Sequence, residues 1–247
     1  MNDATRQTAK LAEDMLRGQF PDSMSRYTQF RTVVFDCDST LTAIEGIEEL
    51  AREHRAEVEA LTEEAMRGEI PLEQVYGRRL ELVRPARGRV LALGQRYIEE
   101  LVPDARETVA ALQAAGVQVR IISGGLKPAV LILARALGIA DNAVDAVDVY
   151  FDEQGVYTGF DVSSPLAKSG GKRILVESWD EKVPRPVMLV GDGATDQEAQ
   201  PAVAAFVAFA GVAYRATVVK TADFVIKEKS LAGVLPLALG ITKQSRT

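Results

Sequence analysis

Three times along the chain a short apolar run stops abruptly at a polar cluster rich in Gly or Asp. This repeated pattern constrains the fold more than any other feature. Thr32-Val33-Val34-Phe35 runs into Asp36-Cys37-Asp38-Ser39-Thr40, residues 117–122 run into Ser123-Gly124-Gly125, and residues 187–190 run into Gly191-Asp192-Gly193-Ala194-Thr195-Asp196. Short, β-branched apolar runs without alternation read as strands buried on both faces. Further strand candidates lie at residues 204–209 and 224–226, and helical segments fit at residues 104–115, 127–137, 171–178 and 231–239. Strands alternating with helices predict an α/β fold, a Rossmann-like parallel sheet flanked by helices. Ligands of such sheets bind beyond the carboxyl ends of the strands. All three polar clusters fall at those ends.

Between residues 44 and 101 the strand signals vanish, and helical segments follow one another at 44–53, 56–66, 72–83 and 87–101, punctuated by Pro71 and Pro85. The pattern predicts a small helical cap inserted after the first strand, above the presumed site, where it can exclude water and select substrate. The expected organisation is an N-terminal helical extension over residues 1–30, a core over 31–43 and 102–247, and the cap over 44–101. The extension carries a helix at residues 5–17 with a modest apolar face; it would pack on the domain or on a second subunit, as in a homodimer. Residues 150–160, with Gly155 and Gly159, read as a small hairpin.

Composition narrows the function. The chain has 247 residues and a formal net charge of -6. This argues against a protein whose main task is neutralising nucleic-acid phosphates, which needs clustered Lys and Arg. Any phosphate site must be local. A single cysteine, Cys37, excludes an intrachain disulfide. The N-terminus does not read as a signal peptide. The longest apolar stretch, residues 202–213, falls short of the roughly 20 residues a membrane-spanning helix needs, so no membrane partner and a cytoplasmic location are expected.

Asp36 and Asp38, two apart at a strand end, suit a two-step phosphoryl transfer. One carboxylate attacks phosphorus and forms an acyl-phosphate. The other protonates the leaving alkoxide and then activates water. Asp192 and Asp196 add carboxylates at a second strand end, and four acids at one site repel unless a divalent cation joins them. Oxygen donors together with a phosphate co-ligand favour Mg²⁺. Ser123, Gly124 and Gly125 offer a hydroxyl and backbone amides at an expected helix start, and Lys172 offers a fixed positive charge for the phosphoryl oxygens.

Together, the sequences Asp36-Cys37-Asp38-Ser39-Thr40, Ile121-Ile122-Ser123-Gly124-Gly125, Lys168-Ser169-Gly170-Gly171-Lys172 and Gly191-Asp192-Gly193-Ala194-Thr195-Asp196 resemble, in order, the four motifs of the haloacid dehalogenase superfamily. Within it the chain is similar to the phosphoserine phosphatase family from residue 32 to about residue 239. The resemblance implies Asp36 as nucleophile and Asp38 as general acid/base. It implies Mg²⁺ held by Asp36, the main-chain carbonyl of Asp38, and Asp192, with Asp196 in support. Ser123, Gly124 and Lys172 would hold the phosphate, Thr40 would order the nucleophile loop, and Thr195 would lie near the substrate. In the cap, Glu45 matches the acid that meets the substrate ammonium, Arg79 the arginine that pairs with its carboxylate, and Met66 an apolar position. The implied reaction is hydrolysis of a small phosphorylated metabolite, phosphoserine, at the last step of the phosphorylated route to serine. Ala43, Ile44 and Leu72 depart from the polar and aromatic residues often found there, and this keeps phosphohomoserine, phosphothreonine, phosphoethanolamine or a sugar phosphate as alternatives. A non-catalytic phosphate-binding module would tolerate loss of the nucleophile or acid, and both are present.

Other chemistry-bearing residues have plainer readings. Cys37 should turn away from the side its neighbours face and act as a small buried apolar residue. His54, the only histidine, falls on a charged helix and reads as exposed. Arg84, Arg87 and Arg89 read as a solvated face and Trp179 as packing.

Overall fold

A computed structural model describes residues 30–66 and 72–240. The N-terminal extension expected over residues 1–30 therefore lies outside the described residues except for Phe30, as do Pro71 and the side chains of Met66 and Leu72. The core is a six-stranded, wholly parallel sheet. Its strands are β1 (Thr32–Phe35), β2 (Gln118–Leu126), β3 (Val144–Val147), β6 (Val187–Gly191), β7 (Ala205–Phe209) and β8 (Phe224–Ile226), and a separate hairpin is formed by β4 (Val149–Phe151) and β5 (Tyr157–Phe160). The spatial order β3-β2-β1-β6-β7-β8 places β1 centrally, with Phe35 opposite Ile121 on one side and Val190 on the other. The strand order reverses at β1, and a crevice opens at such a switch point.

Alternation along β1 builds the layers. Val33 and Phe35 enter one apolar cluster, with Leu112 and Leu133, while Val34 enters a second, with Val176, Phe206 and Val218. Apart from Phe206 on β7, these partners come from α5 (Ala105–Ala114) and α6 (Lys127–Ala136) on one face, and from α7 (Gly171–Ser178) and α9 (Ala216–Thr221) on the other. Fully burying a side chain such as Phe35 or Leu112 contributes about 1.5–3 kcal/mol. The site therefore stands on a rigid platform.

The insertion is helical as expected: α1 (Gly46–Leu50), α2 (Arg55–Met66), α3 (Leu72–Val83) and α4 (Arg87–Glu99). Its two connections to the core lie side by side. Ala43 N donates to Glu100 O at 2.7 Å, and Val102 N to Leu41 O at 3.0 Å. This bridge ends α4 two residues before the expected limit. α4 packs along α6, whereas α3 meets the hairpin. The arginines expected on a solvated face are exposed, and each also braces its surroundings through one backbone carbonyl. Arg84 donates to Tyr157 O at 3.3 Å, Arg87 to Asp152 O at 2.9 Å and Arg89 to Leu50 O at 2.7 Å.

Two strands of the sheet differ from the sequence reading. β3 was not expected. It is an edge strand whose Asp145 pairs with Arg120 at 2.9 Å, and that polar residue breaks the apolar run. β2 continues through Ser123, Gly124 and Gly125 to Leu126, with a register shift after Ile122, and α6 starts at Lys127, where the sequence placed it. Ser123 and Gly124 thus lie on an irregular strand end and not at a helix start. Among the described residues, no helix is long and apolar enough to cross a membrane.

Candidate active site

The position of Asp36 is fixed by the sheet. Asp36 N extends the ladder to Val190 O at 2.9 Å, and Asp36 Oδ1 accepts from Cys37 N at 2.7 Å. The chain then turns tightly through Cys37–Leu41, with Ser39 in the left-handed region at φ 52°. A non-glycine residue is uncommon there. The turn is held by its own bonds: Ser39 N donates to Ile44 O at 3.3 Å, and Ser39 Oγ donates to Glu45 Oε1 at 2.6 Å. It brings Glu45 back over the strand end, and Gly46 N donates to Asp38 Oδ1 at 3.1 Å. Cys37 is fully buried, as expected. Burial, then Asp38 and Asp36, push its thiol well up, so it stays neutral.

Lys172, in the first turn of α7, is buried at 5% exposure. Its Nζ lies 2.8 Å from Asp36 Oδ1 and 2.7 Å from Asp196 Oδ1. Burial alone would lower the lysine pKa, but Asp196 and Asp36 more than offset it, so the ammonium is retained. Asp196 is fully buried on α8 (Ala194–Glu198), and its Oδ2 accepts from Gly193 N at 3.0 Å. Its carboxylate fits because position 191 is glycine. A Cβ there would stand 2.2 Å from Asp196 Cγ.

One oxygen from each of Asp36, Asp192 and Asp196 comes within 4.8 Å of the others, and all three residues are buried. Asp36 is raised well above the ordinary carboxylate range, by burial first and then by Asp196. Asp192 is pushed up to about 6 by burial and Asp196, with Arg215 opposing, and Asp38 to about 7 by burial and Glu45. Buried oxygen donors that repel one another fit a hard divalent cation. The shifts also fix a pH dependence. A carboxylate raised on folding contributes stability that is complete below its unfolded value near 4 and is lost as pH rises through the folded value. For Asp192 and Asp38 that loss runs through about 6 and about 7. In EDTA the Tm should therefore be higher at pH 6 than at pH 8 by about 3 °C, a gap that thermal melts should show shrinking in excess Mg²⁺.

Two contributors carry no motif. Arg215, before α9, places Nε 3.0 Å from Asp192 Oδ2 and Nη2 3.6 Å from Glu45 Oε1, tying two of the expected site residues together. Only its place in the loop after β7, another strand end on the site's side of the sheet, pointed to it. Tyr76 on α3 donates to Gly124 O at 2.8 Å and meets Phe160 edge-on at 5.3 Å. Arg79 lies three residues on, so the two share a helix face, and it is half-buried. At the end of β2, Ser123 is buried and its Oγ accepts from Gly125 N at 2.9 Å.

Other expected positions gain less. Thr40 is fully buried, and its hydroxyl has no hydrogen-bond partner among the described residues. Thr195 is exposed on the first turn of α8. The Met66 side chain lies outside the description. His54 is half-buried, with Nδ1 3.9 Å from Glu57. Trp179 packs on the second apolar cluster under the Arg120 guanidinium, 4.9 Å from its ring.

Comparison with known proteins agrees with this geometry. A family model of haloacid dehalogenase-like hydrolases matches residues 30–200. The chain is 39% identical to the phosphoserine phosphatase of Bos taurus over 199 residues, 79% of this chain and 88% of that protein. It is 35% identical to the phosphoserine phosphatase of Drosophila melanogaster over 207 residues, 81% of this chain and 76% of that one. A solved structure described as a phospho-aspartyl intermediate analogue of phosphoserine phosphatase superposes with a TM-score of 0.67 at 27% identity, over 84% of this chain and 98% of that one. The carboxylates at the strand ends, the buried lysine and the six-stranded sheet thus sit in a chain that belongs to the haloacid dehalogenase-like hydrolase family.

Proposed function

We propose that the protein is a Mg²⁺-dependent phosphoserine phosphatase, hydrolysing O-phospho-L-serine to L-serine and phosphate through a phospho-aspartate on Asp36. The observation that carries this reading is Lys172 bridging Asp36 and Asp196 at 2.8 and 2.7 Å beside Asp192, in a chain whose relatives bear that name. Asp36, the Asp38 carbonyl and Asp192 would hold the cation, with Asp196 in support. When bound, Mg²⁺ supplies positive charge that lets the clustered carboxylates and the phosphate coexist.

Cys37 N and Lys172 both engage Asp36 Oδ1, which fixes the orientation of the carboxylate. In the first step an Asp36 oxygen bonds to phosphorus, the ester P–O bond breaks, and Asp38 passes its proton to the departing serine oxygen. In the second, a water oxygen bonds to phosphorus while Asp38 takes its proton. The bond to Asp36 breaks and phosphate leaves. Lys172, Ser123 and the Gly124 amide face the charge that builds on the phosphoryl oxygens. Burial holds Asp38 at about 7, so both protonation states are within reach at neutral pH.

Residues 44–101 form the cap in this reading. Glu45 meets the substrate ammonium, and Arg79 pairs with its carboxylate, a group the planar guanidinium matches in two parallel bonds. Arg79→Ala is expected to raise the KM for L-phosphoserine at least about tenfold, the cost of a lost charge-assisted bond, while kcat on p-nitrophenyl phosphate stays nearly unchanged. Steady-state kinetics on both substrates test this, and equal losses would remove Arg79 from substrate recognition.

A further inference from the structure

The reaction above leaves a buried phenol of the site without a part. Tyr97, on α4, is fully buried, and its hydroxyl lies against the Asp38 carboxyl without the geometry of a full hydrogen bond. A buried hydroxyl held only by a weak contact offsets little of the about 1–3 kcal/mol that its desolvation costs, and phenylalanine would avoid that cost. The hydroxyl lies in the site. A Cβ built on Gly46 would fall 1.9 Å from it, and one on Gly125 would fall 3.5 Å from it. Gly46 is the residue whose N–H holds Asp38 Oδ1 at 3.1 Å, and Gly125 ends the phosphate-loop segment. Position 46 must therefore be glycine for the tyrosine to reach this point. Burial, with Asp38 next, raises the phenol well above its ordinary value, so it remains a donor at neutral pH.

We propose that Tyr97 is a positioning residue whose hydroxyl completes a hydrogen bond to the Asp38 carboxyl when that side chain turns towards the leaving-group oxygen. In the resting structure the Gly46 amide gives Asp38 Oδ1 its well-formed bond at 3.1 Å, and the Tyr97 hydroxyl touches the same carboxyl only weakly. A second donor on a helix packed against the core fixes the carboxyl in its working orientation. The proposal rests on the reading of Asp38 as general acid/base.

The test is Tyr97→Phe in the full chain with Mg²⁺, assayed beside the unaltered protein. Only a weak resting contact with Asp38 is lost, so the Tm should change little. On L-phosphoserine, kcat should fall about tenfold or more, within the span of a general acid/base contribution, with KM changed less than about threefold. With p-nitrophenyl phosphate, whose leaving group needs no proton, rapid mixing should show an undiminished first-turnover burst followed by a slowed steady state. An unchanged kcat on phosphoserine would overturn the positioning role. So would a burst slowed as much as the steady state, because that marks general distortion of the site. The parallel turnover of phosphoserine by the unaltered protein separates either result from a failure of the proposed function.

Discussion

Replacing Asp36 with asparagine is expected to abolish turnover, by about 10⁴-fold or more, the scale of losing a covalent nucleophile. The amide keeps the shape of the carboxylate but cannot form an acyl-phosphate. The same change should leave the fold intact. Asp36 is buried beside Asp196 and Asp192, all of like charge, and its own pKa is raised well above the usual range. Removing that charge relieves repulsion, and Lys172 keeps Asp196 as its partner at 2.7 Å. The metal-free variant should therefore melt no lower than the unaltered protein at pH 8, where the carboxylates are most ionised, while binding Mg²⁺ more weakly. Phosphate release, thermal melts and Mg²⁺ titration check the three expectations, and near-normal turnover would refute the covalent mechanism.

Lys172→Met acts in the opposite sense. It removes the cation that Asp36 and Asp196 share, at 8% and 0% exposure, and leaves two buried carboxylates facing each other. Breaking a buried pair from one side costs about 3–5 kcal/mol, which for a chain of this size lowers the Tm by about 10 °C. Turnover should fall about 10²–10³-fold, as when a fixed donor to the transition-state charge is lost. Added Mg²⁺ should restore part of the melting temperature, since a cation again separates the carboxylates, but not the turnover. A variant that melts normally in EDTA would show that the lysine does not hold the cluster together.

Much of this site was legible in the sequence because the chemistry lies at the ends of short apolar strands. The run before Asp36 and the run before Gly191 read as strands from their own residues, and parallel pairing then forces their ends together. Lys172 followed from its place at the start of a helix behind Ser169-Gly170-Gly171. What was not legible depended on pairing or reach. β3 is an edge strand whose Asp145 answers Arg120 on β2, a partnership invisible along the chain. The helix begins at Lys127 as expected, but β2 runs on past residue 122 because Leu126 pairs with Val147 of that unforeseen strand, so Ser123 lies on a strand end rather than at the helix start. Arg215, Tyr76 and Tyr97 enter from loops and helices distant in sequence, and an arginine or tyrosine on such a segment has no local feature that marks it. The braces made by Arg84, Arg87 and Arg89 were hidden for the same reason, since their acceptors are carbonyls of the hairpin and α1.

The most direct test is phosphate release from a panel of small phosphates with Mg²⁺ and with EDTA. L-phosphoserine, phosphothreonine, phosphohomoserine, phosphoethanolamine and a sugar phosphate would form the panel. The expected result is a Mg²⁺-dependent kcat/KM for L-phosphoserine at least about tenfold above every other substrate, the discrimination that one charge-assisted contact supplies. Turnover that peaks on another phosphate, or that persists undiminished in EDTA, would contradict it.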